Sequence, residues 1–182
     1  MNFSTLFRLG ENLNLDRKTL VFLRWIAIFG QIIAINLVFF VLKLEFPITL
    51  AYIIIFAGLI TNLFLQFGIK SIQLKDFYAS IFLIYDLIQL SFLLYLTGGI
   101  SNPFSILLIV PAIVSSTFLS VGTTIILGFL TISFLFFLTI FHYPLPGLSE
   151  YSLIFPKYYI VGLFIAIIIG LIFLSYFGVR FA

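Results

Sequence analysis

Cysteine is absent from this 182-residue chain, and charge is scarce. Charged residues make up 8% of the sequence and hydrophobic residues 63%, against about 25% and about 45–50% in soluble domains. Nine Lys and Arg and six Asp and Glu cannot cover a water-facing surface of this size, so a soluble domain and a disordered chain are both excluded. Without cysteine, no disulfide, thiolate metal site or thiol redox switch can form within these residues.

The apolar residues form long continuous runs, which excludes an outer-membrane barrel with its alternating strands. Roughly 20 apolar residues suffice for a helix to cross a bilayer. The sequence therefore predicts an all-α membrane protein, a bundle of six transmembrane helices. In this prediction a cytoplasmic segment (1–19) precedes a transmembrane domain (20–178), and 179–182 begin a linker. The predicted spans are 20–42, 47–67, 77–96, 103–120, 124–141 and 158–177.

The distribution of basic residues predicts the orientation. Seven of them fall on the side of the N-terminus and two on the other side, which by the positive-inside rule makes both termini cytoplasmic. They flank apolar runs and form no basic stripe, so we expect them to contact membrane lipid rather than nucleic acid. The two groups are Arg8, Arg17, Lys18, Arg24, Lys70, Lys75 and Arg180 on the first side, and Lys43 and Lys157 on the second.

Asp86 is the costliest residue in the predicted spans, because it lies near mid-bilayer, where a charge costs roughly 2.5–3.5 kcal/mol. Gln89 shares its helical face, and Gln31 lies at a similar depth in the first span, so we expect a hydrogen bond between Asp86 and Gln31. Two interpretations remain open: these residues join helices, or they take part in proton or redox sensing.

Two further polar residues have simpler explanations. Arg24 lies near the cytoplasmic end of the first span, where it either reaches phosphate headgroups or bonds Asn62 and Gln66 of the second span. His142 is the only histidine and has no carboxylate cluster beside it. We therefore predict an interfacial residue and no metal site.

The strongest local pattern lies between the third and fourth spans. Gly98 and Gly99 can adopt the positive φ of a helix C-terminus, while Asn102 suits an N-cap and Pro103 the first helical position. A helix that starts here would direct free N–H groups at the outer interface, beside the flat ring of Phe104. Such a surface suits a flat molecule with polar carbonyls, although an ordinary tight connection is the simpler alternative.

Three stretches resemble the RegB/PrrB-type redox-sensing histidine kinases. Residues 23–31 (LRWIAIFGQ) are similar to the first-span signature of that family. Residues 86–90 (DLIQL) and 94–104 (LYLTGGISNPF) are similar to its third span and its GGxxNPF quinone motif. All fixed positions of that motif are present.

The resemblance implies the N-terminal sensory domain of a kinase that reports the redox state of the ubiquinone pool in the bacterial inner membrane. It implies ubiquinone as the bound ligand, with Gly98, Gly99, Asn102, Pro103 and Phe104 as its site. Asp86, Gln89, Gln31 and Arg24 are possible supporting residues. The family further implies a homodimer and a cytoplasmic response regulator. We expect no kinase activity from these residues, because the phospho-accepting histidine region and the ATP-binding domain are missing.

Two other function classes remain. A small transporter or channel would use Asp86, Gln31 and Gln89 to line a path, but the chain has no evident repeat and we expect no paired ionisable residues in mid-membrane. A membrane-embedded enzyme needs a cluster of acids, histidines or cysteines, and one His with one buried Asp is too few.

Overall fold

The structure is a computed structural model that describes residues 15–41, 43, 45–143 and 155–181. Arg8 and most of the predicted N-terminal segment lie outside these residues. The α-helices are α1 Arg17–Asn36, α2 Ile48–Leu63, α3 Asp76–Leu96, α4 Val110–Phe118, α5 Val121–Ile140 and α6 Lys157–Phe181. π-Helical turns extend α1 (Leu37–Val41) and α2 (Phe64–Gly68), 3-10 segments precede α4 (Gly99–Ser101 and Pro103–Ile109), and two short strands are β1 Leu15–Asp16 and β2 Gln73–Leu74.

Five helices in the described residues are long and apolar enough to cross a membrane. They confirm the predicted all-α class and its apolar helices of membrane-spanning length. The stretch Pro103–Phe118 is shorter, at 16 residues, but its first seven are 3-10 helical. Because a 3-10 helix rises about 2.0 Å per residue and an α-helix about 1.5 Å, this stretch is about 28 Å long. That is close to the thickness of a hydrocarbon core.

Pro111 explains the long 3-10 segment. A proline in a helix lacks the N–H group and crowds the carbonyl four residues before it, here that of Leu107. The N–H group of Val110 bonds the Leu107 carbonyl instead, in a 3-10 pattern. The Leu108 carbonyl accepts a hydrogen bond from the hydroxyl of Thr131, a fully buried residue of α5. The 3-10 segment is therefore stabilised by a hydrogen bond from α5.

The turn before α5 lies earlier than the sequence predicts. The expected break was at 121–123, whereas α5 begins at Val121 and Ser120 is its N-cap. The carboxylate of Asp76 accepts the Ser120 N–H at 2.7 Å and also the Thr123 hydroxyl. Asp76 thus satisfies polar groups at the start of α5 while it opens α3, and it joins the two helices.

The end of the bundle at which α1, α3 and α5 begin carries several polar contacts, and we call it the polar end. β1 pairs with β2 in antiparallel fashion, with Leu15 opposite Leu74. Arg17 donates to the carbonyls of Gln66 and Ile69, which end the second helix. Because these contacts join the beginnings of α1 and α3 to the end of α2, successive helices alternate in direction and α1 and α3 run the same way.

The core is made mainly of leucine and isoleucine, and α3 is the most buried of the long helices. At the polar end, α6 approaches α4 closely: a Cβ atom on Gly178 would lie 2.0 Å from Oγ and 2.9 Å from Cβ of Ser116. Only glycine permits this contact. In contrast, a Cβ atom on Gly128 of α5 would meet nothing within 4 Å.

We predict that Gly178→Ala lowers the stability of the protein, because the new methyl group overlaps Ser116 and overpacking costs about 1–3 kcal/mol. Thermal unfolding in detergent should show a melting temperature lower by several degrees. The matched control is Gly128→Ala, which should keep or raise the melting temperature because alanine favours a helix by about 0.5–1 kcal/mol. Equal effects of both substitutions would contradict the close α4–α6 contact.

Candidate functional site

The turn between α3 and the 3-10 segment carries the predicted motif. Gly98 and Gly99 have φ angles of 105° and 60°, and they are the glycines with positive φ in the described residues. Both are buried, as is the neighbouring Ile100. The two glycines reverse the chain directly after α3 ends at Leu96, so the turn is compact and is part of the packed bundle.

Asn102 closes this turn through both ends of its side chain. Its Oδ1 accepts the N–H of Phe104 at 2.8 Å, which is the N-cap contact predicted from the sequence. Its Nδ2 donates to the carbonyl and to the hydroxyl of Thr97, at 3.1 and 2.8 Å. Asn102 therefore joins the end of α3 to the start of the next helix.

The expected free N–H groups at this helix start are not free. The N–H of Phe104 is bonded to the Asn102 side chain, and that of Ser105 to the Asn102 carbonyl at 2.9 Å. The prediction that these two groups face a ligand is wrong. The reason is that a good N-cap satisfies the donors of the first turn itself. Any ligand at this turn must bind through other groups.

Aromatic rings gather at the same end of the bundle. Phe104 is 42% exposed, and Pro103 beside it is exposed as well. On α3, the ring of Tyr95 stacks on Phe137 of α5 at 6.5 Å and meets Tyr143 edge-on at 5.5 Å. The Tyr95 carbonyl also accepts the N–H of Tyr143 at 2.8 Å. This end of the bundle thus carries the exposed ring of Phe104 and a cluster of rings formed by Tyr95, Phe137 and Tyr143.

His142 lies against the turn. From the sequence we predicted only a residue at the membrane interface. A Cβ atom on Gly99 would lie 2.7 Å from both Cγ and Cδ2 of the His142 ring and 2.4 Å from the Leu138 carbonyl oxygen. Gly99 therefore serves two purposes: it adopts a positive φ and it gives room to the imidazole. The spacing of the motif could not reveal this neighbour, because His142 follows 43 positions later in the chain.

Arg24, the second group of interest, is directed inward and is buried against α2 and α3. It is only 3% exposed, and its Nε donates to Asp86 Oδ1 at 2.9 Å in a salt bridge. Its Nη2 donates to the Thr61 hydroxyl of α2 at 2.7 Å. The rings of Phe82 and Tyr85 lie 5.3 and 5.6 Å from the guanidinium carbon. We call Arg24, Asp86 and Thr61 the ion-pair junction.

The hydrogen-bond partners of Asp86 and Gln31 differ from those predicted. Asp86 does not bond Gln31; instead Gln89 donates to Gln31 at 3.1 Å. The cause is depth: Gln31 lies fourteen positions after the start of α1 and Gln89 thirteen after the start of α3. The sequence placed the start of α1 too late, at residue 20 instead of 17, and so misaligned the two helices.

The predicted α2 partners of Arg24 also differ from the observed one. Asn62 donates to the Val21 carbonyl at 3.4 Å, and Gln66 accepts from the indole of Trp25 at 3.2 Å. Arg24 reaches Thr61 instead, since Asp86 draws its guanidinium inward and supplies the countercharge. Gly58 makes room on α2 for the side chain of Gln89, which would lie within 2.5 Å of a Cβ atom there.

A groove of about 650 Å³ runs between α1 and α2. Its aromatic walls are Trp25 and Phe29 on α1 and Tyr52 and Phe56 on α2. None of the motif residues lines it. Across the described residues, no three His, Asp or Glu side chains gather into a metal-binding group.

The chain has relatives among known proteins. It is 39% identical, over 166 residues, to sensor histidine kinase RegB of Cereibacter sphaeroides, and it has the same identity over the same length to RegB of a named strain of that species. The chain is similar to RegB over 91% of its length. It spans about a third of the length of these relatives, 36%. No family model and no solved structure matches.

The resemblance predicted from the motifs is thereby confirmed. The similarity to RegB supports the membrane domain of a sensor histidine kinase. The turn, together with Arg24 and Asp86 of the ion-pair junction, lies in the stretches that carry the predicted resemblance.

The ion-pair junction leads to a prediction about stability. Asp86→Leu leaves the buried guanidinium of Arg24 without its countercharge, and breaking a buried pair in this way costs about 3 kcal/mol. Denaturation in detergent micelles should reveal the loss. Because the penalty comes from the unpaired charge, the double variant Arg24→Met with Asp86→Leu should regain most of the stability. A single variant as stable as the wild type would contradict the pairing.

Proposed function

We propose that this chain is the sensory membrane domain of a histidine kinase, and that it binds ubiquinone at the turn from Gly98 to Phe104. The observation that carries the proposal is the geometry of this motif: a compact turn, held by Asn102, that presents the exposed ring of Phe104. The similarity to RegB over nearly the whole chain supports the kinase class.

In this proposal the quinone ring packs on Phe104, since aromatic pairs gain energy beyond the area they bury. Gly98 and Gly99 let the backbone turn tightly below it, and Pro103 sets the start of the next helix. The capped N–H groups take no part. Polar contacts to the head group come from side chains that surround the turn, and the isoprenoid tail lies in the lipid.

The proposed signal leaves the turn through α4. The 3-10 segment connects Asn102 directly to α4, and α4 packs against α6 through Ser116 and Gly178. Because 3-10 and α-helices differ in rise, a few residues that change between the two forms would move α4 along its axis. A shift at the turn would thus reach the cytoplasmic end of α6, which leads towards the kinase region and through it to a response regulator.

The six spans and their orientation belong to the same proposal. The stretch Pro103–Phe118 is long enough for a sixth span because of its 3-10 part, and Arg17, Lys18, Lys70, Lys75 and Arg180 all lie at the polar end. By the positive-inside rule this end is cytoplasmic, in a bacterial inner membrane. The turn then lies at the outer face.

A homodimer is also part of the proposal, because the kinase family works as dimers. Gly162, Ala166 and Gly170 recur every four residues on α6, a spacing typical of close helix pairs in membranes. A Cβ atom on Gly162 or Gly170 would meet nothing within 4 Å, so this face leaves space for a second copy.

The alternative of a transporter or channel has less support. Its path would need available polar groups in the middle of the bundle. Asp86 is bonded to Arg24, and Gln31 is bonded to Gln89. These residues are joined to one another across helices, which favours a role in holding α1, α2 and α3 together.

The binding test is quinone titration of the purified chain in nanodiscs. We expect the wild type to bind a short-chain benzoquinone and Phe104→Ala to bind it about tenfold more weakly, equivalent to about 1.4 kcal/mol. Phe136→Ala, which removes an exposed ring of α5, should bind like the wild type. Equal affinity of Phe104→Ala and the wild type would remove Phe104 from the site, and lack of binding by the wild type would contradict quinone sensing.

The orientation can be tested with reporter fusions in a bacterial host. A fusion after Phe181 should report the cytoplasm, and a fusion inserted between residues 144 and 156 should report the periplasm. Fusions that report the same side would contradict the crossing of the membrane by α6. A periplasmic signal after Phe181 together with a cytoplasmic signal from the inserted fusion would contradict the span Pro103–Phe118.

A further inference from the structure

His142 lies at the turn without a role in the function proposed so far. We propose that His142 is the hydrogen-bond acceptor for the hydroxyl group of the reduced head group, and thus the residue through which this site distinguishes hydroquinone from quinone. This inference rests on the proposed quinone site and adds to it the residue that recognises the redox form.

The position of the imidazole supports this role. The Cγ–Cδ2 edge of the ring contacts Gly99, at 2.7 Å from the place of a Cβ atom. Nε2 adjoins Cδ2 in the ring, so it lies next to the edge that faces the turn. His142 is only partly buried, which leaves its ring accessible to a molecule that packs on the turn.

The hydrogen bonding of Nδ1 determines what Nε2 can do. Nδ1 lies 2.7 Å from the Tyr143 carbonyl oxygen. A carbonyl can only accept, so Nδ1 carries the proton in this contact. In the neutral imidazole, Nε2 is then the acceptor. Among the described residues no group donates to it.

The two forms of the ligand differ in what they offer to an acceptor. A hydroquinone has two hydroxyl groups that donate, whereas a quinone has carbonyl oxygens that only accept. Nε2 of neutral His142 can therefore bond the reduced form and not the oxidised form. The usual donors of a helix start would favour carbonyls, but those of Phe104 and Ser105 are already bonded to Asn102.

The other polar side chains at the turn do not discriminate in this way. Tyr95 and Tyr143 lie beside the site, and a phenol hydroxyl donates as readily as it accepts. Asn102 uses its amide group on Thr97 and its oxygen on Phe104.

The hydroxyls of Thr97 and Ser105 donate to backbone carbonyls, but Thr97 already accepts a hydrogen bond from Asn102 and Ser105 is buried. Among these side chains, His142 is the one that combines a partly exposed acceptor atom with a hydrogen-bonding direction determined by the fold.

The experiment compares a short-chain benzoquinone with its hydroquinone, under anaerobic conditions, on the full chain in nanodiscs. The informative variant is His142→Asn, because an asparagine amide occupies the place of Nδ1 and can still donate to the Tyr143 carbonyl, while nothing replaces Nε2. We expect hydroquinone to bind about fivefold more weakly and quinone to bind unchanged, the effect of one ordinary hydrogen bond.

Two further variants make the test specific. His142→Gln places an amide oxygen near the position of Nε2 and should regain part of the hydroquinone affinity. Tyr158→Phe, at a side chain 80% exposed on α6 at the same end of the bundle, should bind both forms like the wild type.

Each outcome separates the two proposals. If the wild type binds both forms and His142→Asn loses only the reduced one, the inference is supported. If His142→Asn binds both forms like the wild type, or loses both equally, the inference is wrong while the quinone site stands. If the wild type binds neither form, the quinone site itself is wrong, and the role of His142 with it.

Discussion

Polar groups buried among packed helices have no water to bond, so each must find its partner within the protein. This constraint governs the turn between α3 and α4, which breaks the helical pattern where both backbone ends need partners. Asn102 satisfies both sides: its amide group reaches Thr97 at the end of α3, and its oxygen caps Phe104. The rest of the candidate site depends on this one side chain, because it determines where the exposed ring of Phe104 stands.

The same constraint joins α1, α2 and α3 into one unit. Arg24 on α1 bonds Asp86 on α3 and Thr61 on α2. Gln31 and Gln89 form a second link between α1 and α3, nearer the turn. At the polar end, the β1–β2 pair and Arg17 close the unit. By comparison, α6 meets α4 through small residues at Gly178 and Ser116. Three helices joined by these hydrogen bonds, beside a helix held by close packing, suit the proposed role of passing a conformational change along one helix.

The capped turn also changes the chemistry that the site can offer. A helix start is usually a source of free donors that favour negative charge. Here Asn102 already accepts hydrogen bonds from these donors. Hydrogen bonds to a ligand must therefore come from side chains around the turn. In the proposed site, the two redox forms of the ligand would be distinguished by the direction of a hydrogen bond to His142, whose ring is oriented by the Tyr143 carbonyl.

Much of this protein could be predicted from its sequence. Continuous apolar runs and scarce charge determine membrane helices, and Gly98, Gly99, Asn102 and Pro103 determine the turn, because each acts through its own backbone or its nearest neighbours. Pro111 could also have indicated the 3-10 segment, since its effect is local. Partners across helices were decided only by the tertiary structure. Arg24 with Asp86, Gln31 with Gln89, and Gly99 with His142 are brought together by helix starts and by packing. A shift of three residues at the start of α1 suffices to change which side chains meet, and no local pattern in the sequence records that depth.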